Sequence, residues 1–127
     1  MTILFAWRSK NPQENILKRI DALIPSIKRK EVIESILKAG AQGVTLVESR
    51  GKGAGDRPLV RGTRGIARFV AGYNRIDTIT TVVDDSKSSS VISAIMNVVH
   101  TGSSGDGVIF VSRVDEMYKI GTKEKIL

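Results

Sequence analysis

From Arg19 to Ile24 the chain reads RIDALI, alternating polar and apolar residues with the period of two that marks a half-buried strand. Pro25 and Ser26 end that alternation. Between Lys28 and Ala39 the spacing changes, and Val32, Ile33, Ile36 and Leu37 fall along one helical stripe. Gly40 stands where a C-terminal glycine cap belongs, and Gly43 opens a second strand over Val44–Glu48. The order then repeats. Asp77–Val83 (DTITTVV) is β-branched and strand-like, and Asp84-Asp85-Ser86 supplies an N-cap cluster. Val91, Ile92, Ala94, Ile95, Val98 and Val99 form a second apolar helix face. Thr101–Gly107 is a glycine loop, and Val108–Val114 is a closing strand. Two β-α-β units joined by a middle segment predict an α+β, ferredoxin-like β-α-β-β-α-β domain, with four antiparallel strands and two helices on one face.

Two stretches fall outside the repeat. Residues 1–18 form an N-terminal extension that the pattern leaves open as strand, short helix or tail, and Trp7 in it has no assigned neighbour. Residues 19–127 make up the domain, and within it residues 49–73 form a long connecting loop. The loop carries Gly51, Gly53, Gly55, Gly62 and Gly65 among Arg50, Lys52, Arg57, Arg61, Arg64 and Arg68, opposed only by Asp56. A flexible, concentrated positive charge of this kind suits a segment that orders on an anion or a protein.

Composition narrows the class. A chain of 127 residues with 41% hydrophobic residues suits one compact domain. The absence of cysteine excludes disulfides, thiolate metal sites and a cysteine nucleophile, and agrees with a reducing cytoplasm, where the protein is expected. No apolar run approaches the roughly 18–20 residues of a membrane span. The start Ile3–Trp7 is too short for a signal-peptide core and lacks a basic segment before it. A net charge of +7 and a pI of about 10.0 point to a basic surface, an anionic ligand or a polyanionic partner.

The candidate chemistry sits in Gly102-Ser103-Ser104-Gly105-Asp106-Gly107. A backbone this poor in side chains can aim amide groups at phosphate oxygens, with Ser103 and Ser104 adding hydroxyls and Lys119 and Lys123 adding charge. The same glycines also suit a plain tight turn between helix and strand. His100, the single histidine, belongs at a helix C-terminus, where the helix dipole favours it. No His/Asp/Glu set has metal-ligand spacing, and no nucleophile–base pair can be assembled, so neither a metal site nor an enzyme is expected. Ser86, Ser88, Ser89 and Ser90 read as a polar first helical turn.

TGSSGDGVIFV (Thr101–Val111) resembles the string TG-x-x-GDG-[KR]-IFV of the P-II nitrogen-regulatory, signal-transducing family. RIDALI, KAGAQGVTLVESRGKG and IGTKEK resemble that family's first strand, its entry to the long loop and its last segment, so the resemblance spans Arg19–Lys125. It implies a homotrimer that binds ATP or ADP in clefts between subunits, with 2-oxoglutarate joining Mg-ATP. The implied partner is an ammonium channel or a nitrogen-assimilation enzyme met by the long loop, and no substrate is turned over. Carried residue by residue, the nucleotide contacts are Thr45, Gly51, Lys52, Gly53, Val82, Thr101, Gly102, Gly105, Asp106, Gly107, Val108, Lys119 and Lys123. The effector or partner contacts are Gly55, Arg57, Arg61, Arg64 and Arg75.

The chain departs from that pattern at several of these places. Val108 replaces the basic residue after GDG, and Lys119 and Gly121 stand for two arginines, losing the bidentate fork. Gly55 takes the place of a glutamine that holds Mg²⁺, and Arg75 is the nearest cation to the lysine for 2-oxoglutarate. The loop has no tyrosine for nucleotidylation, Tyr73 lying at its far end. Two other readings use the same fold. A ferredoxin-like sensor with a different anionic ligand accommodates the lost phosphate contacts. An RNA-binding module shares the strand order, but it stacks bases on aromatics of its first and third strands, which RIDALI and DTITTVV lack.

Overall fold

The computed structural model describes residues 16–52, 59–61, 68–70 and 74–127. The N-terminal extension ahead of Ile16, with Trp7, lies outside the described residues, as do Gly53, Gly55, Arg57 and Arg64 of the connecting loop. The elements are β1 (Leu17–Pro25), a 3-10 turn (Ser26–Lys28), α1 (Arg29–Lys38), β2 (Thr45–Gly51), β3 (Leu59–Arg61), β4 (Arg68–Val70), β5 (Asn74–Asp84), α2 (Asp85–Val99), β6 (Val108–Val114), β7 (Tyr118–Lys119) and β8 (Glu124–Lys125).

β2, β5, β1 and β6 lie in that order in one antiparallel sheet. The alternation of β1 sends Ile20, Ala22 and Ile24 to the helix side, where they meet Ile79 and Val83 of β5. Val32 and Ile36 of α1 and Val91, Ile95 and Val99 of α2 close the core above them. Each such aliphatic side chain contributes roughly 1.5–3 kcal/mol by leaving water, which is what holds two short helices to the sheet. α1 ends as its sequence predicts. Gly40 takes φ +108°, and its amide donates to the Leu37 carbonyl at 3.1 Å.

Three local expectations change. β2 continues through Gly51, so Ser49, Arg50 and Gly51 are strand; the Ser49 hydroxyl donates to the Ile76 carbonyl at 2.6 Å and holds them there. β3 and β4 pair antiparallel inside the segment expected to be open loop. Asp84 occupies the N-cap position of α2, yet its side chain makes no capping hydrogen bond. Burial instead pushes the Asp84 carboxyl above its usual range, partly offset by Lys87.

The opposite face of the sheet carries Arg19, Asp21 and Leu23 of β1, facing Val82, Thr80 and Thr78 of β5 and Ser112, Phe110 and Val108 of β6. Asp21 accepts from the Thr80 hydroxyl at 2.6 Å and from the Arg19 guanidinium. Val47, Val108 and Phe110 are more than half exposed on it, an apolar surface of the kind that self-association covers.

Candidate functional site

The glycine loop is built around one carboxylate. Asp106 accepts from the Thr101 amide at 2.7 Å, from the Gly102 amide at 3.0 Å and from the Thr101 hydroxyl. The Ser103 amide donates to the Thr101 hydroxyl oxygen at 3.3 Å, the Gly105 amide to the Ser103 hydroxyl oxygen at 3.1 Å, and the Asp106 amide to the Ser103 carbonyl at 3.3 Å. The Thr101 hydroxyl above all, then its amide, hold the Asp106 carboxyl below the usual carboxylate range, with lesser pulls from the Gly102 amide and from His100. His100 caps the C-terminus of α2, its amide donating to Met96 at 2.9 Å, and its Nδ1 lies 3.9 Å from Asp106. The amides expected to face outward therefore donate within the loop, those of Thr101 and Gly102 to the ionised Asp106 carboxylate and those of Ser103, Gly105 and Asp106 to neutral oxygens.

Two of the loop's glycines are conformational necessities. Gly102 has φ +90° with open space where a Cβ would be, whereas Gly107 has φ +115° and packs directly against the Leu23 carbonyl. That close approach delivers Val108 into register with Leu23.

Gly51 ends β2, with Lys52 following it, and Gly51 faces Asn74 across the ladder. Val108 and Pro25 sit at the same end of the sheet through their pairings with Leu23 and Ile76. The two groups are nevertheless on opposite edges, because β5 and β1 intervene. Three inter-strand steps of about 4.8 Å put the edges roughly 14 Å apart. Thr45 and Val82 lie on the helix-free face, nearer the other end of the sheet. Lys119 is in β7 and Lys123 in the β7–β8 turn at φ +60°, after β6 has carried the chain away from the loop to Val114. Arg61 closes β3 opposite Arg68. The described candidate nucleotide residues are thus spread over both edges and both ends of the sheet and the β7–β8 segment, and they do not form a single pocket within one chain.

A second polar cluster was not singled out by sequence reasoning. Asp77 is only 1% exposed and accepts from the Ser26 hydroxyl at 3.0 Å and from Arg29 at 3.5 Å. Arg29 also reaches Glu48 at 2.6 Å. The available signal was parity: Asp77 shares the inward phase of Ile79, Thr81 and Val83, and an inward carboxylate needs partners. Arg75, expected as an effector contact, stands opposite Arg50 in the next rung. Among the described residues no group of three or more His, Cys, Asp or Glu side chains could hold a metal ion. No helix there is long and apolar enough to cross a membrane.

A four-stranded antiparallel sheet under two helices, with a glycine loop ahead of its edge strand and a long connection between its halves, defines a ferredoxin-like α+β domain. The family model described as nitrogen regulatory protein P-II matches residues 17–124, and the chain belongs to that family. The nitrogen regulatory protein P-II of Rhizobium meliloti (strain 1021) is 37% identical over 110 residues, covering 85% of this chain and 95% of that protein. That of Azospirillum brasilense is 37% identical over 111 residues, covering 86% and 96%. Among solved structures, Arabidopsis thaliana PII bound to citrate superposes with a TM-score of 0.64 at 25% identity, over 86% of this chain and 84% of that one. The B. subtilis GlnK-ATP complex gives 0.66 at 20% identity over 87% and 94%, a likeness of fold alone.

Proposed function

We propose that this nitrogen-regulatory protein is a cytoplasmic homotrimer that binds ATP or ADP in its inter-subunit clefts and acts through its long loop on a protein target, without turning over a substrate. The observation that carries the reading is the split of the candidate site. The glycine loop and the roots of the long loop sit at one end of the sheet but on opposite edges, so one chain holds half of a site and a neighbour's edge would complete it. The exposed Val47, Val108 and Phe110 support association through the helix-free face. Thr45, Gly51, Lys52, Gly53 and Val82 are proposed from one edge, Thr101–Val108 from the other, and Lys119 and Lys123 as the phosphate cations. Because the amides of Thr101, Gly102, Ser103, Gly105 and Asp106 all donate within the loop, phosphate binding would draw more on those lysines than on a ring of free amides.

Mg²⁺ and 2-oxoglutarate are proposed as conditional ligands. Gly55 offers no side-chain oxygen, so the ion would be held chiefly through nucleotide phosphates. The citrate bound by the Arabidopsis relative supports a carboxylate effector class. Arg57, Arg61, Arg64 and Arg75 are proposed as effector or partner contacts, with an ammonium channel or a nitrogen-assimilation enzyme as the target. The RNA-binding alternative gains nothing from the fold: the central strands present Arg19, Asp21, Leu23, Thr78, Thr80 and Val82 on their open face, and no aromatic.

Calorimetric titration with ATP, ADP and AMP, with and without Mg²⁺ and 2-oxoglutarate, tests this together with a light-scattering mass. Adenine-nucleotide binding by a trimer, weakened by Lys119→Gln, is expected. A monomer that binds no adenine nucleotide would leave only the architecture and move the search to other anions.

A further inference from the structure

Arg50 of β2 and Arg75 of β5 are direct cross-strand partners. Such partners project to the same side of the sheet with their Cβ atoms about 5 Å apart, and like charges so placed repel. Both side chains are exposed, and neither has an ion pair or hydrogen bond among the described residues. The acids of the neighbouring rung offer no relief. Glu48 and Asp77 are both taken by Arg29, and Asp77 by the Ser26 hydroxyl as well. An open surface groove lined by Pro25, Ser26, Ile27, Arg29 and Arg75 runs up to the Arg75 side of this rung. Ile27, 87% exposed, gives it an apolar lip.

We infer that Arg75, which lines this groove, and its cross-strand partner Arg50 together grip a phosphate dianion at the groove's Arg75 end, on the helix side of the sheet and separate from the nucleotide residues Thr45 and Val82 on the other face. Two guanidinium groups on one face of adjacent strands carry twice the charge of a single carboxylate. A tetrahedral phosphate offers three acceptor oxygens, and its charge near −2 matches the two arginines. β2 and β5 are also the roots of the long loop, so the bound anion would tie those roots together. The inference narrows the role of Arg75 within the P-II reading, and the ligand is either inorganic phosphate or a phosphate monoester whose carbon skeleton rests on Pro25 and Ile27.

The test is a two-dimensional NMR and thermal-melt titration of the full-length protein with inorganic phosphate, glycerol 3-phosphate and succinate, without nucleotide. Both phosphates should raise Tm and shift the amides of Arg50, Arg75 and Ser26, with glycerol 3-phosphate the stronger if a monoester is the ligand. Arg75→Gln and Arg50→Gln should each raise the Tm of the ligand-free protein by relieving repulsion, and each should weaken phosphate at least 10-fold. Lys38→Gln, which removes a charge at the far end of α1, should leave the phosphate response unchanged. Succinate acting as well as phosphate, shifts confined to Thr101–Gly107, or an equal loss in Lys38→Gln would each overturn the site. ATP titration of the same variants separates the two ideas. Nucleotide binding that survives in Arg75→Gln while the phosphate response is absent from the wild-type protein would sink the inference and leave the P-II reading standing.

Discussion

Gly107 lies against the carbonyl of Leu23 so closely that a Cβ would overlap its oxygen, and its φ of +115° is one that side-chain-bearing residues rarely adopt. Gly102 shares the positive φ but has open space around it. Alanine at the two positions therefore separates two costs. Gly102→Ala should lose about 1 kcal/mol, the price of the backbone conformation alone. Gly107→Ala should lose more than about 2 kcal/mol, because β6 must also move off β1. Urea denaturation of the two variants checks the order, and equal losses would mean that β6 shifts freely.

Acid should dismantle the glycine loop late. The folded Asp106 carboxyl is held below its unfolded value of about 4, so its stabilising bonds are fully present above that value. They are lost only as pH falls through the lower folded value. With His100 replaced by Gln to remove the neighbouring imidazole, amide shifts of Thr101 and Gly102 followed from neutral pH downward should stay flat to about pH 4 and then move together. Asp106→Asn, which keeps one acceptor oxygen but no charge, should move them already at neutral pH. Movement between pH 5 and 7 in a His100→Gln background, which removes the imidazole 3.9 Å from Asp106, would contradict the assignment.

Arg29 is expected to matter through Asp77 rather than through Glu48. Asp77 is buried with two partners, whereas Glu48 is 60% exposed, and exposed pairs contribute little. Arg29→Ala should cost about 1–3 kcal/mol by leaving a buried carboxylate underpaired, and Ser26→Ala about 1 kcal/mol. Glu48→Ala should fall within about 0.5 kcal/mol of wild type. A larger effect at Glu48 than at Ser26 in denaturant titration would reverse the ranking.

Much of this architecture was legible because local signals and tertiary packing agree. The RIDALI alternation and the Val32–Ile36 spacing each point their apolar residues at the same core, and Gly40 caps α1 as its position implies. The β3–β4 pairing was hidden, since Leu59–Arg61 and Arg68–Val70 are too short to show a period among glycines and arginines. Within the site, the glycines marked the loop, but the role of Asp106 as its organiser depends on a turn that brings residue 106 back to Thr101. The Arg50–Arg75 opposition could not be read at all, because register between distant strands is fixed by the fold and leaves no trace in either segment.

Lys123 offers a way to separate fold from ligand binding. It is the non-glycine residue with positive φ among those described, at +60° in the β7–β8 turn. A side chain there costs roughly 1–2 kcal/mol, and glycine would relieve the strain while adding unfolded-state entropy of about 0.5–1 kcal/mol. Lys123→Gly should therefore be as stable as wild type or slightly more so. The same change removes a cation proposed to face nucleotide phosphates, so ATP affinity should fall by roughly 10-fold, the scale of one charge-assisted hydrogen bond. Stability and affinity moving in opposite directions would mark Lys123 as a residue kept for its ligand. If both fall together, its contacts hold the hairpin. If affinity is unchanged, the phosphate cations must be sought elsewhere, beginning with Lys119.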